Sequence, residues 1–68
     1  MSLNITLNGE ARVIPEGLSV EALLAHLGLQ SKKVAVERNL EIVPKSTFGA
    51  TQIRDGDRIE IVHFIGGG

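Results

Sequence analysis

The chain has no cysteine, no tryptophan and no tyrosine, and its aromatic content is two phenylalanines, Phe48 and Phe64. Without thiols it can form neither a disulfide nor a thiolate metal site, and it has no cysteine nucleophile. With so few aromatics, its core has to be built from Leu, Ile, Val and Ala. Charge of one sign is also missing: seven Lys and Arg against eight Asp and Glu give a formal net charge of −1. Lys32 and Lys33 are the only adjacent basic pair, while Arg12, Arg38, Arg54 and Arg58 are scattered. Nucleic-acid binding needs several phosphate contacts on one face, so no nucleic-acid partner is expected. No apolar run approaches the ~20 residues of a membrane span, and the N-terminus lacks the apolar stretch of a signal peptide. No membrane association is expected, and the cytoplasm is the expected compartment.

What is present is enough for one small fold. At 68 residues, a domain buries about 60% of the surface its unfolded chain exposes, which leaves little room for a deep substrate cavity. That weighs against a self-sufficient enzyme and towards a protein handled by larger partners. The apolar fraction of 43% against 22% charged residues points to a folded globule rather than a disordered chain.

Leu3, Ile5 and Leu7 alternate with Asn4 and Thr6, the period-two pattern of a half-buried strand. Asn8-Gly9 follows, a pair that tolerates the positive φ angles of a type I′ hairpin turn. The return strand is predicted over about Ala11 to Ile14, stopping at Pro15. Ser19 is a good N-cap, with Glu21 in the first turn to complement the helix dipole. Leu18 and Leu23 are spaced as a hydrophobic staple across it. Val20, Leu23, Leu24 and Leu27 then form one apolar stripe. Gly28 is placed to end the helix in the left-handed region, with Leu29 packing back on Leu24. The helix is thus predicted over Ser19 to Leu27.

Further strands are predicted over Val34 to Val36, Glu41 to Val43 (closed by Pro44) and Arg58 to Phe64. Asn39 and Asp55-Gly56-Asp57 supply the turns, and Lys45 to Gln52 reads as a loop. This order predicts an α+β fold, a mixed four- to five-stranded sheet packed on one helix. Placing the last strand parallel to the first, with a right-handed crossover through the helix, gives the ubiquitin-like β-grasp. The fold is assigned to residues 1–65, and residues 66–68 to a flexible glycine tail.

Conventional catalytic motifs are missing, and no catalytic or metal-binding residue is assigned. His26 and His63 lie on different elements with no nucleophile placed beside either. Asp55 and Asp57 flank Gly56 and are expected to satisfy turn backbone groups. What remains is Gly66-Gly67-Gly68. Glycine loses the most conformational freedom on ordering, so such a run is poor for folding. One reading is a frayed terminus. The other is a backbone without side chains that threads a narrow channel and presents its carboxylate to another protein's site. Extended, three residues reach ~10 Å.

Val34-Ala35-Val36, Asn39, Glu41-Ile42-Val43-Pro44-Lys45-Ser46, Asp55-Gly56-Asp57-Arg58-Ile59-Glu60-Ile61-Val62 and the terminal glycines together resemble the ThiS family of sulfur carriers in thiamine biosynthesis. The resemblance covers essentially the whole chain, and the motifs are specific in combination rather than singly. A third glycine before the terminal pair and Glu37-Arg38 before Asn39 are the departures.

The resemblance implies that Gly68 is the working residue and that Gly66 and Gly67 are spacers. A ThiF-type activating enzyme would adenylate the Gly68 carboxylate with ATP and magnesium. A sulfur donor such as a cysteine desulfurase would then allow conversion to a thiocarboxylate. A ThiG-type thiazole synthase would receive the sulfur. The chain would bind no cofactor itself and would act as a protein co-substrate, not an enzyme.

Strand parity places Ile59 and Ile61 on one face and Val62 and Phe64 on the other. If the helix covers the isoleucines, Val62 and Phe64, continued by Ile65, form a partner-docking patch rimmed by Arg58 and Glu60. Equally, the loop at Phe48 covers them. Two functional alternatives stand beside the thiamine carrier: a small subunit of molybdopterin synthase, and a β-grasp interaction module that carries nothing.

Overall fold

The computed structural model describes residues 1–64, so the expectations placed on Ile65, Gly66, Gly67 and Gly68 lie outside the described residues. Strands β1 (Ser2–Leu7) and β2 (Glu10–Pro15) form the opening hairpin, with β3 (Val34–Arg38), β4 (Glu41–Ile42) and β5 (Arg58–His63) completing the sheet. The sheet has five strands in the order β2-β1-β5-β3-β4. β1 and β5 run parallel, and the other neighbours run antiparallel. The last strand therefore lies at the centre, as the sequence predicts. The turn at Asn8 (φ 49°) and Gly9 (φ 84°) has the two positive φ angles expected of this hairpin.

Helix α1 spans Val20–His26, a residue shorter at each end than predicted because Ser19 and Leu27 are its caps. Ser19 Oγ accepts the Ala22 N–H at 3.1 Å. The Val20 and Glu21 N–H groups donate to the Thr51 and Phe48 carbonyls at 2.8 and 3.1 Å. The loop after β4 thus satisfies helix donors that have no partner within a helix. Beyond the helix, Leu29 N–H donates to Leu24 O (2.8 Å) and Gly28 N–H to Ala25 O (3.0 Å). With Gly28 at φ 76°, this is the double bond pattern of a Schellman stop.

Val20, Leu23 and Leu24 are fully buried against Ile5, Leu7, Ile14, Val34, Val36, Ile59 and Ile61. Leu27 is only half-buried, at the end where the helix stops. Phe48 is 1% exposed, so it is a core residue and does not shield the far side of the sheet. The segment around it contains a 3-10 turn over Lys45–Thr47, and a second, unanticipated one lies at Ser31–Lys33. No helix among the described residues is long and apolar enough to cross a membrane.

Leu24 is 1% exposed. Leu24→Ala is expected to cost on the order of 2–5 kcal/mol, lowering the melting temperature by roughly 10 °C or more in a domain this small. An unchanged thermal transition would show that the helix face is wrongly assigned.

Candidate functional site

The C-terminal end of β5 is where the structure presents whatever follows it. Ile59 and Ile61 point into the core. The strand is fixed on both sides close to its end. Against β3, the Phe64 N–H donates to the Lys33 carbonyl at 2.9 Å, one residue past the strand. Against β1, a side chain continues the ladder: Ile61 N–H donates to Asn8 Oδ1 (2.7 Å) and Asn8 Nδ2 donates to the Ile61 carbonyl (3.3 Å). The Asn8 amide behaves there as an extra peptide group. Asn8-Gly9 announces a turn in the sequence, but nothing local signals this second role, which depends on β5 arriving 53 residues later.

Val62 and Phe64 are 62% and 56% exposed. Of the two readings left open by parity, the exposed one holds. Lys45 Nζ lies 5.0 Å from the centroid of the Phe64 ring and donates to the Lys32 carbonyl at 3.0 Å. The resulting cation–π contact steadies the ring without covering it. On the helix side of the same strand end, a shallow cleft of ≈ 250 Å³ is lined by Leu7, Arg12, Leu27, Leu29, Ile61 and His63, among others. His26 ends the helix and His63 borders this cleft.

The other end of β5 is held by polar contacts. Asp55 Oδ1 accepts the Asn4 N–H of β1 at 2.7 Å, so it ties the turn to the first strand rather than satisfying a donor of the turn itself as expected. Asp57 accepts the Arg54 N–H at 2.8 Å, the turn role predicted for it, but it does more. Arg38 Nε donates to Asp57 Oδ2 at 2.8 Å and Asn39 Nδ2 to Oδ1 at 3.0 Å. Asn39 in turn exchanges bonds with Arg58: its Oδ1 accepts the Arg58 N–H (2.9 Å), and its own N–H donates to the Arg58 carbonyl (2.8 Å). Burial of Asp57 raises its pKa, but the hydrogen bonds from Arg38, the Arg54 backbone and Asn39, with the charge of Arg38, outweigh it. The carboxyl is held below its ordinary range.

This cluster is a lock between two turns. Asn39 and the Asp-Gly-Asp turn therefore serve the strand that carries the tail. Among the described residues, no three His, Cys, Asp or Glu side chains come together to hold a metal. What the geometry offers is a braced central strand and an exposed apolar pair at its end.

Comparison with known proteins agrees with this layout. The model of the ThiS family matches residues 5–68. The thiazole synthase of Paramagnetospirillum magneticum is 56% identical over 66 residues, covering 97% of this chain but 20% of that protein. The chain thus spans about a fifth of the length of that relative. The sulfur carrier protein ThiS of Bacillus subtilis is 48% identical over 50 residues, covering 74% of this chain and 76% of that one. The crystal structure of the thiamine biosynthesis protein ThiS of Geobacter metallireducens superposes with a TM-score of 0.84 at 39% identity. That superposition covers 97% of this chain and 100% of that one.

Proposed function

Because the chain belongs to the ThiS family of sulfur carriers in thiamine biosynthesis, we propose that it carries sulfur on the carboxylate of Gly68. The observation that carries this reading is the braced β5. Asn8 and Lys33 hold it by hydrogen bonds through Phe64, and in the sequence the first glycine of the run, Gly66, comes two residues later.

A terminal carboxyl has a pKa near 3.5, so at neutral pH it is an anion and a poor electrophile. Its activation belongs to a partner with an ATP and magnesium site. The Gly68 carboxylate oxygen attacks the α-phosphorus of ATP and pyrophosphate leaves, giving an acyl adenylate. A sulfide equivalent then adds at the acyl carbon and AMP departs, leaving the thiocarboxylate. A cysteine desulfurase is the proposed origin of that sulfur; it delivers persulfide sulfur, and a thiol reductant, itself oxidised to a disulfide, supplies the two electrons that bring it to the sulfide level. The chain serves throughout as a co-substrate, and the cytoplasm, with its ATP supply, is the proposed setting. Thiazole synthase is the proposed acceptor, supported by the two relatives of that name, from Paramagnetospirillum magneticum and Magnetococcus marinus, that contain a stretch like this chain.

Docking is assigned to Val62 and Phe64, with Ile65 continuing the patch. Phe64→Ala is expected to leave the thermal transition in place and weaken the complex with the activating enzyme or with thiazole synthase by about tenfold or more. Calorimetric titration measures this directly. Wild-type affinity for both partners would remove Phe64 from the interface.

A further inference from the structure

The side of the sheet turned away from α1 carries a feature that stability does not explain. Glu37 on β3 and Glu60 on β5 are directly opposite one another in the antiparallel register. Both belong to the face that includes Val62, since Val34, Val36, Ile59 and Ile61 occupy the core side. Like charges in opposed positions destabilise a sheet. Glu60 Oε2 is also covered by its surroundings and has no hydrogen-bond partner among the described residues. Covering a carboxylate oxygen without a partner is a second cost. Neither glutamate forms an ion pair among the described residues. Arg58, on the same face, bonds to Asn39 through its backbone, and its side chain forms no hydrogen bond or ion pair among the described residues.

Apolar residues frame this acidic pair. Val62 pairs with Ala35 on one side of it, and Ile42, 75% exposed, pairs with Glu37 on the other. At ~3.4 Å per residue, the face from Arg58 to Phe64 runs for roughly 20 Å, ending at the root of the tail. An apolar frame around two unpaired carboxylates matches a protein surface that presents a cation. A guanidinium suits it best, because its planar fork can bridge two carboxylates.

We infer that the Glu37–Glu60 pair, framed by Ile42 and Val62, seats an arginine side chain of the thiazole synthase partner. The choice of occupant rests on the function proposed above and on the thiazole synthases that hold a like module within one polypeptide. The synthase-bound state would then relieve the repulsion that the free carrier bears. The pair would set specificity by rejecting surfaces that bring no cation.

The test uses the full chain and the thiazole synthase of the same organism. Glu37→Gln and Glu60→Gln are each expected to weaken binding about tenfold, and the double variant should lose most of the salt dependence that the wild type shows. Glu37→Gln should melt at or above the wild-type temperature, which a purely structural role would not produce. Glu37 is exposed, so its variant carries the test if Glu60→Gln fails to fold. Wild-type affinity and salt dependence in the variants would overturn the inference. So would a wild-type dimer, seen by sedimentation without the synthase, that the same substitutions dissolve, because the occupant would then be a second copy. Sulfur loading of wild-type Gly68 is scored separately by mass, so a failed carrier assignment is distinguishable from a failed docking one.

Discussion

A chain lacking Gly68 is expected to fold with an unchanged thermal transition and to support no measurable thiazole formation. The deletion leaves the carboxylate on Gly67, about 3.5 Å short of its place. A reacting centre tolerates errors nearer 1 Å, and misplacement on that scale alone costs around a hundredfold in rate. Among the described residues the last hydrogen bond of the fold is the Phe64 N–H to Lys33 O contact at 2.9 Å, four residues before the deletion, so the fold is expected to be insulated from the change. Extending the chain with a C-terminal tag should be equally damaging, since it converts the carboxylate into an amide that a partner cannot adenylate. Gly67→Val separates thickness from length. It keeps the terminus in register but adds a side chain to a segment proposed to thread a narrow channel, so it should fold normally and react slowly. Thiazole formation at the wild-type rate by either the truncated or the tagged protein would sink the carrier assignment.

Asp57→Ala is expected to be among the most destabilising substitutions in the chain, at about 2–4 kcal/mol. The change leaves Arg38 Nε, Asn39 Nδ2 and the Arg54 N–H without their common acceptor. In a domain this small, that is a large fraction of the total stability. The pH dependence has a definite sign. The folded-state pKa of Asp57 is lowered, so its contribution is fully present above the unfolded carboxylate value of about 3.9. It is then lost as pH falls through the lower folded value. The difference in melting temperature between the wild type and Asp57→Asn should therefore be largest near neutrality and shrink below roughly pH 4. A difference that stays constant through that range would show that the charge of Asp57 is not what locks the two turns.

Most of the architecture is legible in the sequence because it is written in local signals. The Asn8-Gly9 pair, the Ser19 cap, the stripe of Val20, Leu23 and Leu24, and Gly28 each specify a conformation within a few residues. The structure realises each of them. What stayed hidden depends on residues far apart in the chain. Asn8 as a surrogate peptide group, Asp57 as acceptor for Arg38 and Asn39, and the opposed Glu37 and Glu60 all require the β5 register to be known. Leu40 carries no local signal of its conformation: its φ of 71° completes the Asn39 turn with a residue that ordinarily avoids the left-handed region. Parity alone could place Val62 and Phe64 on the far face, but whether Phe48 covered them was a tertiary question. The helix-capping role of the Phe48–Thr51 backbone, with Phe48 itself in the core, answers it.

The most direct test is the intact mass of the protein after incubation with ATP, magnesium, the activating enzyme and a sulfur source. The account predicts a gain equal to the difference between one sulfur and one oxygen atom, mapped by fragmentation to the Gly68 carboxyl and absent when ATP is withheld. An unchanged mass under conditions that load another ThiS family member, or sulfur found anywhere except Gly68, would contradict it.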